Sequence, residues 1–133
     1  METKTEERGR AQRREQLGGG KVDIHERTFA LAARILRLVR AMPNDVAGRT
    51  VARQLARSGT SVGTNTEEAQ GSHSRKEFAH RMNIARSEAR ETLYWLRLIE
   101  ATDLIASERL GEIRNEAEEI ARILTAIVKN TRR

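Results

Sequence analysis

The sequence contains no cysteine, a single proline, four aromatic residues and no apolar run of membrane-spanning length. Without cysteine there is no disulfide, no thiol nucleophile and no thiolate metal site, which fits a reducing compartment. Neither a signal-like apolar stretch at the N-terminus nor 18 consecutive apolar residues anywhere is present, so the chain is expected in the cytoplasm, with no membrane partner. The only aromatics are Phe29, Phe78, Tyr94 and Trp95. A core must therefore be built mainly from Leu, Ile, Val and Ala, which suits helices packed on helices better than a sheet.

The 133 residues, 33% charged and 38% hydrophobic, have the size and balance of one soluble globular domain. Residues 1–22 stand apart. They mix both charges, hold almost no apolar side chain and end in Gly18, Gly19 and Gly20. Such a segment buries too little surface to offset the entropy of ordering it, so it is expected to be a disordered tail. The alternative is a basic arm in which Arg8, Arg10, Arg13 and Arg14 follow a phosphate backbone once ordered.

Residues 23–133 carry the period of helices. Ile24, Leu31, Ile35, Leu38 and Met42 form one stripe, and Pro43 stops that helix. Asn44 or Asp45 caps a second helix, on which Val51, Leu55, Ser58, Val62, Asn65 and Ala69 recur at spacings of 4, 3, 4, 3 and 4. Ser74 and Glu77 form a capping box before a third helix, with Phe78, Met82, Ala85, Ala89, Thr92 and Leu96 inward. After a turn at Asp103–Ser107, a fourth helix places Leu110, Ile113, Ala117, Ile120, Leu124 and Ile127 in a heptad pattern. Four helices with short connections, each apolar along one stripe, predict an all-α, antiparallel up-down four-helix bundle.

The stretch "RSGTSVGTNTEEAQGSHS" has a linker's composition, yet the second stripe runs through it to Ala69, which puts the turn at "QGSHS". Gly59 and Gly63 each cost roughly 1 kcal/mol relative to Ala inside a helix, so packing must compensate. Ala52, Ala56, Gly59 and Gly63 recur at 4, 3 and 4 and make a ridge of small side chains against which another helix can lie closely. Ser58 and Asn65, on the apolar stripe, need hydrogen-bond partners there, Asn65 as a residue that fixes register.

On the third helix, Ile84, Ser87, Glu91, Trp95 and Leu98 lie away from the core stripe, and the run "LYWLRLI" is too apolar for a monomer's outer surface. They are expected to form a subunit contact in which Glu91, partly buried, requires an Arg or hydroxyl partner. Phe29 and Phe78 are expected in the core, and Tyr94 and Trp95 partly covered, which leaves no aromatic platform for stacking bases. Catalytic residues, metal and cofactor are all expected to be absent. His73 and His80 are seven apart rather than four, no Glu-x-x-His pair occurs on two helices, and Ser87 with Glu91 lacks a histidine within helical reach.

The stretch Arg53 to Leu96 resembles the bacterial four-helix-bundle proteins encoded in intervening sequences of 23S rRNA genes. The matching features are Gln54, Leu55 and Arg57, then Ser61, Asn65 and Glu68 before the glycine turn, then Ser74, Glu77 and Phe78, and finally Ala85, Ser87 and Glu91. Glu67 and Ala69 depart from that pattern, so the end of the second helix is expected to differ from the family's in detail. The resemblance implies a left-handed up-down bundle assembling as a ring-shaped homopentamer, without enzymatic activity and associated with nucleic acid. A more distant likeness, to the accessory variability protein of diversity-generating retroelements, implies a reverse transcriptase or another protein as candidate partner.

Charge bears on the same question independently. From Arg27 through Arg97 there are 13 basic and six acidic residues, whereas Leu98 to Thr131 holds four basic and seven acidic. Arg49, Arg53 and Arg57 form a row on the second helix; Arg75, Arg86, Arg90 and Arg97 form another on the third. Arginine forks suit phosphate oxygens, so these rows are candidate contacts for RNA or DNA, directed at the backbone and poorly sequence-specific. The competing reading is a structural or protein-interaction scaffold whose arginines are a solvated, ion-paired face.

Overall fold

The computed structural model describes residues 23–132 apart from 107 and 109. It contains four helices: α1 (Ile24–Val39), α2 (Val46–Gln70), α3 (Arg75–Thr102) and α4 (Leu110–Arg132). Segment 1–22, expected as a tail, lies outside the described residues. Each helix packs on its neighbour in the chain and α1 closes against α4, giving an all-α four-helix bundle with no strand among the described residues. None of the described helices is long and apolar enough to cross a membrane.

Short polar side chains set where the helices begin. Asp23 accepts from the N–H of His25 at 2.8 Å, Asp45 from that of Gly48 at 2.7 Å, and Ser74 from that of Glu77 at 3.0 Å. Each satisfies an amide that the first helical turn leaves without a partner. Glu77 returns to the backbone one residue earlier than a capping box requires, accepting from the N–H of His73 at 3.2 Å. The Ser, Thr and Gly-rich stretch is helix: α2 runs unbroken to Gln70 and the turn falls at residues 71–74. α3 stops at Asp103, whose φ of 52° makes it the one non-glycine in the left-handed region among the described residues.

The core is aliphatic, with Leu31, Ile35, Leu55, Leu96, Ile120 and Leu124 fully buried. Small residues let α1 lie close to α2. A Cβ built on Gly59 would sit 2.5 Å from Ile35 Cδ1, too close to fit, whereas one on Gly63 would meet Thr28 Oγ1 at 3.5 Å, an ordinary contact. Two hydroxyl pairs cross the core: Thr28 with Thr66 at 3.3 Å between α1 and α2, and Thr92 donating to Ser58 at 3.0 Å between α3 and α2. Ser58 in turn donates to the carbonyl of Leu55, so both hydroxyls of that second pair are satisfied.

Several placements differ from the sequence reading; Met42 and Phe78, expected in the core, lie at its margin and are only partly buried. Phe29 is 77% exposed rather than in the core, because Thr28 takes the inward position between Ile24 and Leu31. Asn65 is half-buried and donates to the Ser61 carbonyl at 2.8 Å, while its neighbour Thr66 is fully buried. At the end of α4 Val128 is buried and Ile127 only partly so. The last two follow from helical drift: a straight helix of 3.6 residues per turn falls behind a seven-residue repeat by about 20° per heptad, so the inward position moves on by one residue.

One charged cluster closes the α1–α4 seam. Arg27, with its side chain 9% exposed, pairs through Nη2 with Glu116 and, at 3.0 Å, with Glu119. Burial pulls its guanidinium towards deprotonation, but the hydrogen bonds and charges of the two carboxylates outweigh this and hold it above its ordinary value.

Candidate nucleic-acid interface

The two arginine rows are not equivalent in the fold. On α2, Arg49 is exposed and donates to the Asn44 carbonyl at 3.3 Å and to its side-chain oxygen at 3.2 Å. Arg53 is exposed and makes no ion pair among the described residues. Arg57 reaches across to α3, where it pairs with Glu91 and, at 3.1 Å, with Glu88. The hydrogen bond it donates to Glu91, helped by the charge of both carboxylates, holds the Arg57 guanidinium above its usual value against partial desolvation.

On α3, Arg75 covers the end of α4, donating from Nε to the Thr131 carbonyl at 2.8 Å and from Nη2 to that of Asn130 at 3.3 Å. There it satisfies carbonyls that a helix C-terminus leaves open and sits at the negative end of the helix dipole. Arg86 is half-buried, with its Nε enclosed and unbonded in the described structure. Arg90 and Arg97 are exposed and make no ion pair among the described residues. At about 100° per residue they lie some 100–180° around α3 from Glu88 and Glu91, so the pairing flank and the free cations occupy different sides of the helix. The structure thus does not merge the rows into one continuous patch. Arg49 and Arg53 stand on α2, Arg90 and Arg97 on α3, and the ion-paired Arg57 lies at the α2–α3 seam.

Of the α3 residues expected at a subunit contact, Ile84, Glu91, Trp95 and Leu98 are half-buried and Ser87 is exposed. Trp95 and Leu98 pack against the core. The indole of Trp95 donates to Glu91 at 3.1 Å, so Glu91 has its arginine partner within the same chain and an N–H donor besides. Tyr94 stacks edge-on against Trp95, with centroids 5.1 Å apart and rings at 79°, and is itself 57% exposed. Of the two rings expected to be partly covered, Trp95 is half-buried, whereas Tyr94 keeps more than half of its surface open. Trp95 faces the α2 side of α3, and Tyr94, one residue earlier, is turned away to the arginine side.

Among the described residues, large apolar side chains are left exposed on three helices: Phe29 and Leu36 on α1, Val46 on α2 and Tyr94 on α3. Phe29 and Leu36, seven residues apart on one face, remain exposed, and Phe29 borders a groove of about 330 Å³ between α1 and α2 that Thr28, Ala32, Gly63 and Glu67 also line. Sequence reasoning missed this face because it assigned Phe29 to the core by hydrophobicity rather than by period. No group of three His, Asp or Glu side chains is placed to hold a metal among the described residues.

Residues 20–126 match the family described as 23S rRNA-intervening sequence protein. Among solved structures, the chain is similar to a protein of unknown function from the S23 ribosomal protein family of Bacteroides thetaiotaomicron. The two share 37% identity and a TM-score of 0.73, over 80% of this chain and 95% of that one. No protein of curated function matches the sequence.

Proposed function

Because the chain belongs to the 23S rRNA-intervening sequence protein family, we propose that it is a non-enzymatic, oligomeric scaffold of the cytoplasm that associates with RNA through arginines of α2 and α3. The observation that carries this reading is the set Arg49, Arg53, Arg90 and Arg97. All four are exposed and without an ion pair among the described residues, in a region with an excess of seven positive charges. Cations left unneutralised on a surface are the ones that release counterions when they meet phosphate. DNA offers the same backbone charge and is the second candidate ligand; a reverse transcriptase or another protein is a candidate partner.

Two features support self-association, taken here as the homopentameric ring that the family resemblance implies. One is the half-buried flank of Ile84, Glu91, Trp95 and Leu98. The other is the exposed apolar face of Phe29 and Leu36, which a single chain leaves in water. A ring repeats each weak phosphate contact, and contacts along one strand then combine through effective concentration.

The reading is tested by changing Arg49, Arg53, Arg90 and Arg97 together to glutamine and measuring RNA affinity across a salt series. Each lost phosphate contact lowers the slope of log affinity against log salt by roughly 0.7–0.9. The variant is expected to bind more weakly at low salt and with a flatter salt dependence, at unchanged helical content. A parent protein that binds no RNA at low salt, or a variant with the parent's slope, would overturn the proposal in favour of a protein-interaction scaffold.

A further inference from the structure

We propose that the nucleic acid taken by α3 is an unpaired strand, with one base stacked on the exposed ring of Tyr94 and its flanking phosphates held by Arg90 and Arg97. This rests on the RNA-associating reading above and names its substrate class. Arg90, Tyr94 and Arg97 fall at i, i+4 and i+7, hence on one face, and all three are exposed. The two guanidiniums arise about 10 Å apart along the helix axis with the ring between them. They are permanently charged and make no ion pair among the described residues. The hydroxyl of exposed Ser87 stands one turn further along the same face.

The ring is also held in place. Its edge-to-face contact with Trp95 at 5.1 Å ties it to an indole that donates to Glu91, and Glu91 is pinned in turn by Arg57. An aromatic fixed from one side, open on the other and flanked by cations is what base stacking requires, since every base offers a π-face and its phosphates need neutralising. Phe29, the other exposed aromatic, fails this test because its groove is lined by Glu67 and Glu68, which repel phosphate. A duplex keeps its base faces stacked inside, so Tyr94 discriminates strands from duplexes whereas the arginines alone do not.

The experiment is an anisotropy titration at low salt with a short labelled single-stranded RNA and with the same RNA annealed to its complement, using the full chain. Tyr94→Ala is expected to weaken single-strand binding by roughly 5- to 150-fold, the range of one lost base–aromatic stack. It should leave duplex binding unchanged, and Tyr94→Phe, which keeps the ring, should match the parent on both ligands. Circular dichroism and light scattering check that fold and assembly are the parent's. The inference is overturned if Tyr94→Ala binds the single strand as the parent does. It is equally overturned if the alanine variant loses both ligands by the same factor or loses assembly, which would assign Tyr94 to a contact between subunits. If Tyr94→Ala is silent while the quadruple arginine variant weakens binding, this inference falls and the proposed function stands; if the parent binds neither ligand, both fall.

Discussion

Changing Glu116 and Glu119 together to glutamine is expected to destabilise the bundle by about 3 kcal/mol, whereas Arg27→Met should cost less than about 1 kcal/mol. The asymmetry follows from burial. The Arg27 side chain is 9% exposed, while those of Glu116 and Glu119 are 25% and 35% exposed. Remove the carboxylates and a cation stays in a nearly dry seam, where its Nη1 already lacks a hydrogen-bond partner. Remove the cation and both carboxylates keep access to water, while a methionine of similar length takes the space the arginine leaves. Urea unfolding followed by circular dichroism separates the two cases, and for a domain of this size the double variant should melt roughly 10–20 °C below the parent. A double variant within 1 kcal/mol of the parent, or an Arg27→Met loss as large as that of the double variant, would show that the cluster is solvated and contributes no more than a surface pair.

Gly48→Ala is expected to cost about 3 kcal/mol, through forced backbone movement and weakening of the α2 cap. A Cβ there would sit 2.0 Å from the carbonyl oxygen of Pro43 and 2.8 Å from its carbonyl carbon. Neither atom can swing aside as a side chain does. Relief means shifting the α1–α2 connection, which also pulls the Gly48 N–H off Asp45. Gly63→Ala is the internal control. Its new methyl would meet Thr28 at ordinary contact distance, so the variant keeps the fold and gains most of the roughly 1 kcal/mol by which alanine exceeds glycine in a helix. If both alanine variants unfold at the same urea concentration, the close approach at Gly48 is not present in solution.

The elements of this bundle were legible because the apolar stripes are local. Val51, Leu55, Ser58, Val62 and Ala69 mark one face of α2 whatever surrounds them, and that periodicity outweighed the linker-like composition of residues 58–66. The Ser74 cap and the Pro43 stop are likewise written within a few residues of where they act. Less legible was anything decided by a partner distant in the chain. Arg27 is buried because Glu116 and Glu119 meet it 89 and 92 residues later, and its own neighbours in sequence mark it as an ordinary surface charge. In the sequence Arg57 reads as a phosphate contact and Glu91 as an acid needing an arginine or hydroxyl partner; only the fold shows that they pair with each other. Phe29 and Thr28 are a third case. Hydrophobicity favours the phenylalanine for the core, and the interval from Ile24 to Leu31 favours the threonine, whose hydroxyl is accommodated by Thr66 on α2.

The exposed aromatic of α3 was hidden for a related reason. The run Leu93 to Ile99 is apolar enough to suggest a continuous buried patch, yet its members point in several directions around the helix. Leu96 and Ile99 enter the core, Trp95 and Leu98 pack at its margin, and Tyr94 with Arg97 faces water. Composition alone cannot separate these: at about 100° per residue, Tyr94 opens to water beside a Trp95 that is anchored to Glu91.

The central claim, an oligomer that binds RNA through unneutralised arginines, is tested most directly by sedimentation velocity of the full chain with a labelled single-stranded RNA, at low and at high salt. The expected result is a single species several times the 15.1 kDa chain mass that carries the label at low salt and releases it at high salt without dissociating. A monomer that leaves the label sedimenting with free RNA at both salt concentrations would contradict it.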